Sequence, residues 1–256
     1  MTQPLVFITG ASSGIGQALA EHYATQGWRL ALVARRGAEI EAWLAQRGIA
    51  GGRVFAADVR DVDAITAAGR ACIEHMGLPD VVIANAGISV GVDIGVRADL
   101  EQVRASFETN VIGVAATFQP FVDAMRARGS GALVGIASVA GIRGLPGHGA
   151  YCASKAAVIS LCESLRGELR GSGVKVVTIC PGYIATPLTA RNRYAMPFLM
   201  TPTAFARAAG AAIATGASYR VIPWQMGVVA KLLRLLPNAL FDRAFAGRPR
   251  KRRSGE

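Results

Sequence analysis

Tyr151 and Lys155 stand four residues apart. On a helix this spacing puts both side chains on one face, one above the other. An ammonium beside a phenol favours the phenolate and lowers its pKa from about 10. Ser138 closes an apolar run, Leu133-Val-Gly-Ile-Ala, that reads as a short buried strand before a Gly/Pro-rich loop. Its hydroxyl, at the end of that strand, could aim at the same point as the tyrosine. Together they make a proton donor with a hydrogen-bonding partner, suited to a carbonyl or an alcohol. Taken alone, a tyrosine and lysine at this spacing read more readily as a surface pair, so their meaning depends on the elements that position them.

Those elements alternate between strand and helix from the start of the chain. Residues 5–9 read as a buried strand, followed by Gly10-Ala-Ser-Ser-Gly14-Ile-Gly16 and a helical pattern over 15–26. Strand, glycine loop and helix in that order collect free N–H groups and the positive helix end at one spot, an anion site suited to a pyrophosphate. The glycines allow the tight turn and the close approach of a ligand. A second strand over 29–33 ends in Ala34-Arg35-Arg36. In dinucleotide folds an acid after this strand holds the ribose hydroxyls, whereas an arginine accommodates a 2′-phosphate. Here the acid is missing and two arginines are present. Further strands are predicted over 53–57, 80–84, 133–137, 174–180 and 219–222, with helices over 38–47, 61–75, 99–128 and 150–171 between them. Pro120 should kink the helix over 99–128, and Asn110 sits on its apolar face and needs partners there.

This alternation implies a parallel sheet with helices on both faces, right-handed crossovers and ligands at the carboxyl ends of the strands. Thr9, Arg35, Asp58, Asn85, Ser138 and Pro181 all fall at those ends. With 256 residues, 52% hydrophobic and 18% charged, the chain can bury a large core. We expect two parts: a dinucleotide-binding and catalytic unit over 1–223, and a C-terminal helical extension with a basic tail over 224–256. Cys72, Cys152, Cys162 and Cys180 show no CxxC and no metal spacing, which fits small buried thiols in a reduced compartment and no metal site. The formal net charge is +11, part of it in Arg248, Arg250, Lys251, Arg252 and Arg253. Nothing interleaves aromatic with basic residues as a nucleic-acid groove would. The N-terminus lacks a positive leader region, and no charge-free apolar stretch is long enough to span a bilayer.

Four motifs in order resemble the short-chain dehydrogenase/reductase family: Thr9-Gly-x-x-x-Gly14-x-Gly16, Asn85-Ala86-Gly87, Ser138 with Tyr151-x-x-x-Lys155, and Pro181-Gly182. The resemblance covers roughly residues 5–186. It implies a Rossmann-type doubly wound α/β fold of about seven strands and a catalytic tetrad of Asn110, Ser138, Tyr151 and Lys155. In that family Tyr151 would pass a proton to the carbonyl oxygen that Ser138 holds, while nicotinamide passes hydride to the carbon. Lys155 would lower the Tyr151 pKa and grip the nicotinamide ribose, and Asn110 would keep a water that links Lys155 to solvent. The cofactor-binding residues implied are Thr9, Gly10, Ser12, Ser13, Gly14, Ile15, Gly16, Arg35, Arg36, Asp58, Asn85, Ala86, Gly87, Tyr151, Lys155, Pro181, Gly182 and Thr186, with Asp58 toward the adenine and Thr186 toward the carboxamide. NADP(H) is favoured over NAD(H) on Arg35, Arg36 and the missing acid at Ala34. Ser13, where NADP users of the family often carry a basic residue, and Ala84, where the family often has a second Asn, are departures.

The implied function is an NADP(H)-dependent oxidoreductase acting on a ketone, aldehyde or secondary alcohol with an apolar body. The competing classes are a catalytically idle dinucleotide-binding regulator and a membrane-surface, lipid-linked reductase. Residues 187–202, rich in Met, Phe, Leu and Tyr, with Arg191 and Arg193 among them, read as a lid over an apolar pocket or as a surface loop. His148 reads as a pocket residue or a structural one. Residues 224–245 read as two apolar helices split at Pro237, with Met226, Val229, Leu233 and Leu236 at helical spacing. We expect this segment to cover the pocket and help a homo-oligomer form, dimer or tetramer, in the cytoplasm. A weak, salt-sensitive contact with an anionic membrane surface is the secondary expectation.

Overall fold

The computed structural model describes residues 3–190, 192, 194–247, 250–253 and 255. Arg191 and Arg193 of the expected lid, and Arg248 of the basic run, lie outside the described residues. The strands β1 (Leu5–Thr9), β2 (Arg29–Ala34), β3 (Gly52–Ala56), β4 (Val81–Ala84), β5 (Gly131–Ile136), β6 (Val174–Pro181) and β7 (Tyr219–Ile222) form one sheet in the order β3-β2-β1-β4-β5-β6-β7. Every neighbouring pair is parallel; Leu5 stands opposite Arg29 in β2, and Val6 opposite Val81 in β4. The helices between them are α1 (Gly14–Thr25), α2 (Gly37–Gln46), α3 (Val62–Met76), α4 (Asp99–Phe107), α5 (Gly113–Arg128), α6 (Gly149–Glu168) and α7 (Pro202–Thr215), with α8 (Trp224–Leu235) and α9 (Asn238–Phe245) after β7. This is the expected Rossmann-type α/β fold.

The sheet is buried on both faces, so its strands read as unbroken apolar runs and not as alternating ones. Val6 and Ile8 pack with Leu19, Phe205 and Ile213 on one side. Leu5 and Phe7 pack with Ile65, Phe121 and Val158 on the other. Strand order reverses on either side of β1, so the chain leaves β1 and β4 in opposite directions and a cleft opens at their carboxyl ends.

One expected element differs. The long helix over 99–128 is α4 and α5 joined by a π-helical turn, Glu108–Ile112. The irregularity falls there, around Asn110, while α5 continues through Pro120. Pro120 faces α3, where a Cβ on Gly69 would lie 2.4 Å from its ring. A π turn adds one residue to the helical register and so turns a different side chain inward, often at a functional position.

The two C-terminal helices form as expected on either side of Pro237. α8 packs against β7 and against a 3₁₀ turn, Val139–Gly141, that directly follows Ser138. Arg143 fastens the join between α8 and α9. Its guanidinium donates to the carbonyls of Leu233, Arg234 (3.1 Å) and Leu236 (2.7 Å) and to Asn238 Oδ1 (3.0 Å). It also lies 4.0 Å from the centroid of the Phe241 ring. A cation at a helix C-terminus meets the unsatisfied carbonyls there, and stacking on an aromatic face adds to the hold.

Candidate active site

The cleft has a volume of about 650 Å³ and runs across the carboxyl ends of β1, β2, β4, β5 and β6. At its centre, Gly10 (φ +68°) and Gly14 (φ +59°) occupy the left-handed region that a side chain disfavours. A Cβ on Gly16 would lie 2.3 Å from the Gly10 carbonyl oxygen. Ser13 sits at the N-cap of α1 without a side-chain cap hydrogen bond, and the first turn carries no acid. The helix start therefore presents backbone N–H groups and a positive dipole end to whatever occupies the loop. These features fit a dinucleotide pyrophosphate.

Thr9 and Asn85 stitch this loop to the end of β4. Thr9 Oγ1 accepts from the N–H groups of Asn85 (3.1 Å) and Ala86 (3.3 Å), and Asn85 Nδ2 donates to the Thr9 carbonyl at 2.9 Å. Thr9 is fully buried, and with Gly16 it lies behind the cleft wall, shaping the loop. The other residues expected to bind cofactor, Gly10, Ser12, Ser13, Gly14, Ile15, Arg35, Arg36, Asp58, Asn85, Ala86, Gly87, Tyr151, Lys155, Pro181, Gly182 and Thr186, all line it.

At the end of β2, Arg36 pairs with Glu39 (3.1 Å) and reaches Ser12 Oγ (3.4 Å). Arg35 lies 3.8 Å from Asp58 with its side chain 65% exposed. Asp58 is held chiefly by Arg60, at 2.7 Å, and this hydrogen bond keeps its carboxyl below the ordinary range. Arg60 lines the cleft and was missed in the sequence, although a cation two residues after Asp58 is within reach of its carboxylate.

The tetrad residues converge. Ser138, at the N-cap of the 3₁₀ turn, accepts from the Ala140 N–H at 3.1 Å, and its side chain acts on the Tyr151 hydroxyl to lower its pKa. Lys155 is 4% exposed, and its Nζ donates to the Ile136 carbonyl at 2.7 Å. Asn110 is fully buried: Oδ1 accepts from the Ile88 N–H (2.8 Å), and Nδ2 donates to the Ile88 carbonyl (2.9 Å) and to Ser154 Oγ (2.9 Å). The π turn thus gives Asn110 the partners its apolar setting demands, and ties the segment after β4 to α6. A Cβ on Gly87 would lie 3.2 Å from Asn110 Oδ1 and 3.4 Å from Lys155 Nζ, so both groups close on that glycine.

One electrostatic expectation is corrected. The Tyr151 pKa stands above its ordinary value here, not below it. Burial pushes the phenol up to about 12, against a lowering contribution from Ser138. Burial also pulls Lys155 down to about 8. The ammonium lies 5.9 Å from the tyrosine ring centroid and points to the Ile136 carbonyl. Desolvation of both groups outweighs their mutual effect.

The far wall is apolar and aromatic. His148 is buried and does line the cleft. Its Nδ1 lies 3.3 Å from the Pro146 carbonyl, which can only accept, so Nδ1 carries the proton and Nε2 accepts from the Tyr194 hydroxyl at 3.2 Å. Burial lowers the His148 pKa. Tyr194, from the expected lid, also packs on Tyr183. Met226, Val229, Leu233 and Phe245 close the wall from the C-terminal helices, as expected of a segment covering the pocket. The opposite side of α8 stays bare: Trp224, Val228, Leu232 and Leu235 are exposed. Among the described residues there is no cluster of metal ligands, and no helix is long and apolar enough to cross a membrane.

Comparison with known proteins agrees with this geometry. The family model described as short chain dehydrogenase matches residues 4–196. An uncharacterized oxidoreductase of Myxococcus xanthus (strain DK1622) is 41% identical over 246 residues, 95% of this chain and 97% of that protein. A short chain dehydrogenase/reductase from Burkholderia phymatum, solved in complex with NAD, superposes with a TM-score of 0.81 at 26% identity, covering 90% of this chain and 92% of that one. An alcohol dehydrogenase from Thermococcus sibiricus, complexed with 5-hydroxy-NADP, gives 0.76 at 25% identity, covering 86% and 96%. A glycine-lined cradle and a Ser-Tyr-Lys cluster thus share one cleft in a chain similar to these oxidoreductases, and the chain belongs to the short-chain dehydrogenase/reductase family of oxidoreductases.

Proposed function

We propose that the protein is an NADP(H)-dependent oxidoreductase that transfers hydride between the nicotinamide and a ketone, aldehyde or secondary alcohol with an apolar body. The observation that carries this reading is that Ser138, Tyr151 and the buried Lys155 line the same cleft as the glycine loop. A bound nicotinamide would supply or take up the hydride at the carbonyl carbon. Tyr151 gives its proton to the carbonyl oxygen, and Ser138 hydrogen-bonds that oxygen. A phenol held at about 12 stays protonated at neutral pH, as a proton donor must. Lys155 offers its ammonium to the ribose hydroxyls, and Asn110 holds the segment around Gly87 in place. The apolar wall of Met226, Val229, Leu233 and Phe245 supports an apolar substrate body. NADPH oxidation against ketones and aldehydes, long-chain and cyclic ones included, tests the reading; no turnover across such a panel, with dinucleotide bound, would favour the idle regulator.

The NADP(H) preference is part of the proposal and rests on Arg35 and Arg36 at the mouth of the cleft. Arg36 is shared with Glu39, whereas Arg35 has, among the described residues, Asp58 at 3.8 Å. A charge-assisted contact with a 2′-phosphate contributes about 1.5–3 kcal/mol, or roughly tenfold or more in affinity. Arg35→Ala should therefore raise KM for NADPH by about that factor and leave KM for NADH nearly unchanged. Equal catalytic efficiency of the native enzyme with both dinucleotides would refute the preference.

We further propose that residues 1–223 form the dinucleotide-binding and catalytic unit, and that 224–256 complete the pocket and support a cytoplasmic homodimer through the bare side of α8. Trp224, Val228 and Leu232 recur at four-residue spacing there. Leu232→Glu places a charge in such an interface and should weaken association by about a hundredfold, with fold stability changed by about 0.5 kcal/mol at most. Mass measurement in solution reads this directly. A native chain that is monomeric, yet sediments with anionic liposomes and is released by salt, would give the surface to the membrane instead.

A further inference from the structure

The basic tail returns to the cleft. The Gly91 N–H donates to the Arg252 carbonyl at 2.9 Å, and Gly91 pairs with Arg253 in a parallel bridge. This contact needs a bare backbone: a Cβ on Gly91 would lie 2.1 Å from the Lys251 carbonyl oxygen. Gly147, at φ +75°, admits the Arg250 side chain, whose Cβ lies 2.9 Å from where a Gly147 Cβ would be. Arg253 reaches the carboxylate of buried Asp99 at 3.6 Å, and Asp99 in turn accepts from the Asp93 N–H at 2.7 Å. The tail is thus held on both sides of Lys251.

Held in this way, the Lys251 side chain spans two walls of the cleft. Its Nζ donates to Ser89 Oγ at 3.0 Å and to the Leu188 carbonyl at 3.4 Å. Ser89 follows Asn85-Ala86-Gly87, and Leu188 follows Thr186. Both contacts are to neutral oxygens. Among the described residues, no acidic side chain forms an ion pair with Lys251. Of the other cations on the cleft wall, Arg35 and Arg60 are paired with Asp58 and Arg36 with Glu39, while Arg143 and Lys155, like Lys251, are held by neutral oxygens. Burial lowers the Lys251 pKa, and its charge helps lower that of His148 nearby. A partly desolvated ammonium without a counter-charge is costly, and an anion beside it offsets that cost.

We propose that Lys251 is an anion-binding residue of the cleft, carried there by the C-terminal tail, and that it takes a carboxylate or phosphate oxygen of a molecule bound in the cleft. Two molecules could bring that oxygen: a substrate with an anionic group on its apolar body, or the dinucleotide through its pyrophosphate. The proposal rests on reading the cleft as a nicotinamide-dependent carbonyl site, but its test needs no turnover.

The test uses the full-length chain and its Lys251→Met, Lys251→Arg and Gly91→Ala variants. NADPH affinity is measured by fluorescence titration. Decanoate and decanol, with the same apolar body and one anion between them, are then titrated by calorimetry at saturating NADP. Lys251→Met should weaken one anion by about tenfold and leave decanol within about twofold. Loss of NADPH affinity assigns the pyrophosphate as the anion; loss of decanoate alone assigns the substrate. Lys251→Arg should restore most of the affinity. Gly91→Ala, which displaces the tail without touching the ammonium, should reproduce the loss. If the native chain binds decanoate no more tightly than decanol, and Lys251→Met leaves NADPH affinity unchanged, the proposal is overturned. Equal weakening of decanol and decanoate overturns it too, because it reveals only a packing role. A chain that turns over no carbonyl yet loses anion affinity in Lys251→Met would overturn the reductase reading and leave this one standing.

Discussion

Tyr151→Phe is expected to cut turnover by about 10²–10⁴-fold or more while leaving NADPH affinity within a factor of about two. The change removes one oxygen, the group that gives the proton. Little else depends on that oxygen. Ser138 Oγ keeps its hydrogen bond from the Ala140 N–H, so the strand end and the 3₁₀ turn stay in place. The glycine loop is stitched by Thr9 and Asn85, far from the phenol in sequence and bonded independently of it. Because burial holds the phenol at about 12, almost every molecule carries the proton at neutral pH, and reduction should need no prior titration of Tyr151. Alcohol oxidation needs the phenolate and should speed up as pH rises toward that value. Steady-state rates in both directions, with fluorescence titration of NADPH, check these points. A phenylalanine variant that keeps a rate within a factor of a few of the native enzyme would remove Tyr151 from the chemistry.

The fold could be read because its sheet is covered on both faces. Each strand then becomes an unbroken apolar run ending where the backbone meets the cleft, and Thr9, Ala34, Ala84 and Pro181 mark those ends. The π turn at Glu108–Ile112 could not be read in the same way. One extra residue per turn hardly changes an apolar periodicity, and Pro120 drew attention as the stronger local signal. Asn110 was the trace it left, a polar residue on an apolar face whose partners, Ile88 and Ser154, lie 22 and 44 residues away.

The candidate site divides along the same line. Tyr151, Lys155 and Ser138 were legible because spacing on one helix and the end of one strand place them. The direction of the Tyr151 shift was not, because desolvation depends on everything that packs around the pair. Arg143 reaches Leu236 across 93 residues, and Lys251 reaches Ser89 across 162. No local pattern announces such contacts. The basic run was visible as charge alone, and the glycine that admits it, Gly91, has no meaning until the tail lies against it.

Lys155→Met is expected to cut the reduction rate by about a hundredfold or more and yet make the chain no less stable at neutral pH. Lys155 is desolvated, and its folded pKa of about 8 lies below the ordinary 10.5. Holding it charged at pH 7 therefore costs the fold about 3 kcal/mol. Methionine fills similar space without the charge, though it leaves the Ile136 carbonyl without its donor, a loss of about 1–3 kcal/mol. The two nearly offset, so the net change should lie between zero and a gain of about 2 kcal/mol. The pH dependence is the sharper test. Between about 8 and 10.5 the unfolded lysine binds a proton that the folded one has released, so its contribution to stability rises with pH across that window. Buried thiols act the other way: Cys72, Cys162 and Cys180 are pushed up, so above pH 9 they favour the unfolded chain as pH rises. Only the difference between native and Lys155→Met isolates the lysine. Denaturant melts of both chains from pH 7 to 10.5, without added dinucleotide, should give curves that part steadily above pH 8, the native chain gaining relative to the variant. The reduction rate of the native enzyme should fall through the same pH 8 as the ammonium is lost. Parallel stability curves would mean that the folded Lys155 keeps its ordinary pKa, and a native rate flat past pH 9 would mean that loss of its charge near pH 8 has no part in the reaction.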